Sequence, residues 1–173
     1  MKTVPVIETE RLILREHRES DLDAFAAIWN HPDVYRFTRA QPSTREEIWQ
    51  ALVRHRGMWA MFGFGYFVVQ EKASGLLIGE VGVQERKRAL DPSLEGTLEA
   101  GWALGAEMQG KGYARESMRA VLGWCAEAHP EKHVTCIIDP DNARSIRLAE
   151  DLGFRELART AYNGNKTIVF RRG

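Results

Sequence analysis

The chain lacks an excess of either charge. Lys and Arg total 24, Asp and Glu total 24, and the formal net charge is zero. A nucleic-acid partner is not expected, because such proteins carry a basic surplus. Cysteine is scarce. Cys125 and Cys136 are the only two, both lie in apolar periodic segments, and they read as reduced core thiols rather than a disulfide. No window approaches the ~18 apolar residues that a spanning helix needs. The opening Met1-Lys2-Thr3-Val4-Pro5 lacks the apolar stretch of a signal peptide. The expectation is a soluble, cytoplasmic protein with no membrane partner. The five histidines are scattered, and Pro130 spoils the one close pair, His129 and His133, so no metal site is expected. Repeats, low-complexity tracts and linkers are absent as well.

What is present is an ordinary globular composition, 44% hydrophobic and 28% charged, over 173 residues. That length suits a single domain spanning 1–173. Arg11 to Arg15 reads as a first strand. Ser20 with Asp23 offers a helix start, and that helix runs to about His31, before Pro32. Ser43 with Glu46 offers a second capping box, opening a helix through Ile48, Leu52 and Met58. Gly63-Phe64-Gly65 ends it. Tyr66 to Val69 and Leu76 to Glu85 read as a hairpin turning at Ser74-Gly75. Arg86 to Gly96 is a polar loop, and Thr97 to Gly105 a central strand.

Ala114, Met118, Val121, Leu122, Cys125 and Ala128 then fall on one face at helical spacing. Val134 to Ile138 is a short apolar strand. Asn142 caps a helix that ends at Gly153. Asn163-Gly164 joins two final strands. The order β-αα-βββ-α-β-α-ββ describes a mixed α/β domain.

The chemistry gathers on the loop between the central strand and the long helix. Gly110 and Gly112 let a phosphate approach backbone N–H groups at a helix N-terminus, where the macrodipole favours an anion. Lys111 and Arg115 add positive charge. A plain strand-to-helix turn would use glycine in the same way. Gly105 to Gly112 nearly spells a nucleoside-triphosphate loop, but Gly112 stands where that motif needs Ser or Thr for magnesium. A nucleotide hydrolase is therefore set aside.

Gln109-Gly110-Lys111-Gly112-Tyr113-Ala114 resembles the acetyl-CoA signature of the GNAT N-acetyltransferases. Glu99 to Leu104 before it is similar to the family's central strand. Asn142, Ser145 and Gly153-Phe154 after it are similar to the family's later motif. Glu8 to Leu12 and Ile78-Gly79 also fit, and the branch resembled is that of the ribosomal-protein N-terminal acetyltransferases. The resemblance implies a single GNAT-like domain, with a mixed, mostly antiparallel sheet flanked by helices and with splayed central strands. It implies acetyl-CoA as co-substrate and an amine acceptor, either a protein N-terminus or a small amine such as an antibiotic. It is also compatible with a homodimer. A non-catalytic acyl-CoA sensor would keep the loop without needing the other residues.

By the same resemblance, Gln109 to Ala114 and Arg115 bind the pyrophosphate. Trp102, Ala103 and Leu104 pair with the pantetheine arm, and a backbone N–H near Leu104 polarises the thioester. Asn142 hydrogen-bonds the arm, although a helix cap is the commoner use for such a residue, and side chain and backbone can divide the two roles. Ala149 stands where many members carry a tyrosine acid, so Ser145 is the candidate to protonate the leaving thiolate. Glu99 is the first candidate base, acting through water, and Glu80 the second. Trp29, Tyr35 and Phe37 fall in the region that borders the family's acceptor site, though Trp29 serves a core equally well.

Overall fold

The structure, a computed structural model, describes residues 3–38 and 41–173. Met1 and Lys2 of the opening segment lie outside the described residues. Eight strands form in chain order: β1 (Ile7–Glu8), β2 (Leu12–Arg15), β3 (Tyr66–Glu71), β4 (Leu77–Gln84), β5 (Leu98–Leu104), β6 (Val134–Ile138), β7 (Phe154–Tyr162) and β8 (Asn165–Arg172). Five helices join them: α1 (Leu22–Trp29), α2 (Pro32–Tyr35), α3 (Arg45–Phe62), α4 (Tyr113–Ala128) and α5 (Ala143–Asp151). The strand order is β1-β2-β3-β4-β5-β6-β8-β7. The β5–β6 pair is parallel, and its register covers only Leu98 with Val134 and Glu99 with Thr135. The rest of β5 is not paired with β6 in this register.

Contacts divide the chain into two compact units, residues 1–82 with 102–121 and residues 83–101 with 122–173. In the first, Phe25 of α1 and Ile48 and Ala51 of α3 form a buried cluster against which Leu22, Ala26 and Trp29 pack. Trp29 thus has a core role. Alternation places Leu12 and Leu14 of β2 at 0% exposure beside Phe67, Val68 and Val69 of β3. Gly79 of β4 meets β5 closely: a Cβ there would stand 2.3 Å from the Ala103 carbonyl oxygen and 2.4 Å from a Leu104 methyl. The Gly105 N–H donates to the Ile78 carbonyl at 2.9 Å and closes the same contact.

In the second unit, α5 starts on the Asn142 cap. A hairpin joins β7 to β8 through Asn163 (φ 50°) and Gly164 (φ 80°). Two successive positive φ angles are what a tight hairpin turn needs, and Asn-Gly supplies them at low strain. Among the described residues, no helix is long and apolar enough to cross a membrane.

Several local expectations shift. β1 is additional to the sequence reading. Ser20 caps nothing: a 3-10 turn covers Glu19–Asp21, and Asp21 instead accepts from both terminal nitrogens of Arg15 at 2.8 Å. The first helix ends at Trp29. Pro32 opens α2, where its missing N–H costs nothing at a first helical position. The α3 capping box sits one residue later than expected, with Thr44 as the cap and Glu47 reaching back. Ser43 instead donates its backbone N–H to Asn30 at 2.7 Å. On α4, Ala128 is exposed and Ala114 half-buried, while Ser117, outside the predicted stripe, is fully buried because its hydroxyl returns to the Tyr113 carbonyl at 2.8 Å.

Gly79→Ala is expected to destabilise the protein by ~3 kcal/mol or more, since backbone on the facing strand would have to move. Chemical-denaturation midpoints of the two proteins check this, and an unchanged midpoint would show that the contact yields.

Candidate active site

The loop after β5 takes the backbone form that its glycines permit. A 3-10 turn over Ala106–Met108 leads to Gln109, whose side-chain amide donates to the Leu104 carbonyl at 3.0 Å. Gly110 (φ 78°) and Gly112 (φ 84°) both occupy the left-handed region, and α4 begins at Tyr113. Gly110, Lys111, Gly112 and Arg115 are exposed. The exposed glycine backbone therefore sits beside two cationic side chains at the positive end of a 16-residue helix. Tyr113 is mostly buried, with its hydroxyl bonded to Glu71. That bond holds the Glu71 carboxyl below its ordinary value.

The start of the chain braces this loop. Glu116, in the first turn of α4, accepts from the Thr9 hydroxyl at 2.6 Å, from the Arg11 backbone N–H at 2.9 Å and from Arg11 Nε at 2.7 Å. Within the same unit, Trp102 is half-buried, while Ala103 and Leu104 are buried.

A second grouping in this unit escaped the sequence reading. Glu80, 1% exposed, accepts on one oxygen from His17 Nε2 at 3.1 Å and has His55 Nε2 at 3.3 Å. The two imidazoles stack at 4.8 Å between centroids. Burial pushes the Glu80 carboxyl up, but the His55 charge interaction and the His17 hydrogen bond more than offset this and hold it below its ordinary value. His17 Nδ1 is enclosed and has no hydrogen-bond partner among the described residues. It is therefore assigned as the unprotonated nitrogen, and Nε2–H as the donor.

The three ligand-type atoms lie within 4.8 Å of one another, so two of the five histidines, His17 and His55, do gather in space. A metal on Nε2 would turn Nδ1 into an enclosed donor facing no acceptor, and metal-bound histidines almost always place that donor. The hydrogen-bonded reading fits better. The one sequence signal was a carboxylate inside the apolar run of β4.

The second unit holds the other predicted residues. Glu99, 7% exposed, is held by Arg88 through two hydrogen bonds, Nε to Oε2 at 2.7 Å and Nη2 to Oε1 at 2.8 Å. Arg88 also lies 4.7 Å over the Tyr162 ring. Burial lowers the Arg88 pKa, yet the Glu99 bonds outweigh it and keep the guanidinium above its ordinary value. Both oxygens of the Glu99 carboxylate thus receive a donor from the guanidinium. Asn142 Oδ1 accepts from the Ser145 backbone N–H at 3.2 Å, which is the cap use of its side chain. Ser145 is half-buried, and Ala149 is fully buried. Burial pushes the Cys125 thiol up to about 12 and Cys136 higher still.

Comparison with known proteins identifies the class. Residues 11–155 match the acetyltransferase (GNAT) domain family. The chain belongs to that family, the acyl-CoA-dependent acetyltransferases, whose co-substrate is acetyl-CoA. A candidate GNAT-family acetyltransferase of Bordetella pertussis is 30% identical, with a TM-score of 0.86 over 98% of this chain and 99% of that one. The uncharacterised N-acetyltransferase p20 of Bacillus licheniformis is 25% identical over 86% of this chain and 81% of its own. A candidate ribosomal-protein-serine acetyltransferase of Vibrio cholerae shares the fold, with a TM-score of 0.77 at 22% identity, covering 99% and 98% of the two chains.

Asp21 and Glu80 are both held below their ordinary values in the folded protein, Asp21 because its bonds to Arg15 and Arg18 outweigh burial. A depressed carboxyl stabilises the fold above its unfolded pKa, and this contribution fades as pH falls through the folded value. Stability should therefore drop through the acid range below ~pH 4. Glu80→Gln should cost ~1–3 kcal/mol at neutral pH. It should also flatten the acid limb, as read from urea midpoints along a descending pH series. An acid limb identical to that of the parent would count against this account.

Proposed function

We propose that this chain transfers the acetyl group of acetyl-CoA to the α-amine of a protein or peptide N-terminus, by direct attack with donor and acceptor bound together. The observation that carries the donor half is the left-handed glycine pair at 110 and 112, opening α4 between exposed Lys111 and Arg115. In this reading backbone N–H groups of Gln109 to Ala114, with Arg115, hold the pyrophosphate. Trp102, Ala103 and Leu104 line the pantetheine arm, and Asn142 supports it. Residues 1–173 act as one acetyltransferase domain.

The engagement of Glu99 by Arg88 favours an α-amine. Arg88 already donates to both Glu99 oxygens, so a water relay to Glu99 would share them with the guanidinium. An acceptor that is substantially neutral without help suits such a site. An α-amine titrates near ~8, whereas a lysine amine titrates near ~10.4. The fold shared with a ribosomal-protein-serine acetyltransferase candidate points the same way. Ser145 is the group proposed to protonate the departing thiolate. The reaction forms the amide C–N bond and breaks the thioester C–S bond; sulfur takes the Ser145 hydroxyl proton, and the proton lost from the amine returns to Ser145.

An assay of acetyl-CoA with N-terminal peptides, polyamines and aminoglycosides, read by thiol release, should show turnover with the peptides. Turnover confined to a small amine would overturn the acceptor assignment. Binding of CoA without any acceptor-dependent release would mark a cofactor-binding module instead. Gly112→Asp should abolish CoA binding by placing a carboxylate where the pyrophosphate sits, and undiminished affinity by calorimetry would refute the loop assignment. Ser145→Ala should lower kcat while leaving CoA affinity nearly intact, and an unchanged kcat would return Ser145 to a structural role.

A further inference from the structure

Arg11 lies 100 residues from Lys111 in sequence and beside it in space. Three anchors fix its guanidinium. Nε donates to Glu116 at 2.7 Å, Nη1 donates to the Lys111 carbonyl at 3.0 Å, and the group lies 4.3 Å over the Tyr113 ring. A guanidinium carries five N–H donors in a rigid fork. These bonds use one from Nε and one from Nη1. Nη2 stands 3.4 Å from where a Cβ on Gly112 would be, and the side chain remains 41% exposed. A pre-oriented cationic donor therefore lies against the second glycine of the loop.

The charge balance at this helix end points the same way. Glu116 occupies the first turn of α4. A carboxylate there suits the helix dipole but would repel a phosphate bound at the same end. Arg11 neutralises Glu116 and brings donors of its own. By holding the Lys111 carbonyl, it also fixes the orientation of the peptide unit between Lys111 and Gly112.

We propose that Arg11 is a further pyrophosphate-binding residue of the acetyl-CoA site, donating from Nη2 beside Gly112 while its Nε and Nη1 hold the loop. The inference rests on the reading of residues 109–115 as the donor loop. It also gives the Glu8 to Leu12 segment, otherwise only a strand entry, a share in cofactor binding.

Calorimetric titration of the intact protein with CoA and with 3′-dephospho-CoA tests it. Arg11→Gln should weaken both ligands by ~10–100-fold, the range for a lost charge-assisted bond. Glu116→Gln keeps the oxygen that receives Thr9 and the Arg11 backbone while removing the repelling charge. It also loses the acceptor that anchors Arg11 Nε, so it should weaken both ligands, but by less than Arg11→Gln does. Thermal melting establishes that each variant is folded. If Arg11→Gln is not, Arg11→Lys takes its place, with a smaller loss in the same pattern.

Three results would overturn the proposal: affinities of the Arg11 variant within about twofold of the parent, an equal loss in Glu116→Gln, which would mark a purely structural clamp, or a loss confined to CoA, which would move the contact to the 3′-phosphate. Failure of the parent protein to bind CoA would instead sink the donor reading on which this one stands.

Discussion

Keeping the carboxylate of Glu80 ionised while it is buried constrains much of the first unit. A lone buried carboxylate would take up a proton. Here His17, just past β2, and His55 of α3 both meet one Glu80 oxygen on β4. A sheet strand, a helix and the segment that leads from β2 towards α1 are thereby held to one point. The aromatic surround is part of the same arrangement. Phe25 meets His17 edge-on, and Tyr66 stacks on His55 at 5.1 Å. The polar centre therefore fixes the positions of its aromatic neighbours as well as its own hydrogen-bonding atoms. Next along β4, Gly79 sets the close approach to Ala103 and Leu104, so strand spacing at the proposed thioester end follows from a residue adjacent to the buried charge.

The donor loop works by a different principle, the direction of backbone groups rather than burial. Two glycines in the left-handed region turn the chain into α4, and the surrounding cations are exposed. Its rigidity comes from elsewhere. Gln109 ties the loop back to Leu104, and Arg11 with Glu116 ties it to the start of the chain. Pre-organised donors lose less on binding than mobile ones, so these braces matter to affinity as much as the glycines do.

Seven of the strands, four of the helices and the loop were legible in sequence because each follows a local rule; the two-residue β1 and the four-residue α2 were too short to leave a period. Gly110 and Gly112 mark a positive φ, Asn142 a cap, and Asn163-Gly164 a hairpin. Errors arose where two adjacent side chains offered the same group, as at Ser43 and Thr44, or where a distant partner claimed one, as Arg45 claims Asp23. The clusters were not legible. His17 with Glu80, Arg11 with Glu116, and Arg88 with Glu99 are separated by 63, 105 and 11 residues. No period or turn signal links such positions. What engages Glu99 is a cation from the polar loop Arg86 to Gly96, a pairing that no local pattern announces.

The two cysteines carry a practical consequence. Cys125 and Cys136 are each at most 2% exposed, and burial pushes both thiols up, which keeps them protonated near neutral pH. The thiolate is the reactive form. A colorimetric thiol trap added to the folded protein therefore meets a silent background, and the chain can be followed with such a reagent without masking or mutating either residue. The same silence ends when the core opens, so the onset of labelling would time unfolding in that very cuvette.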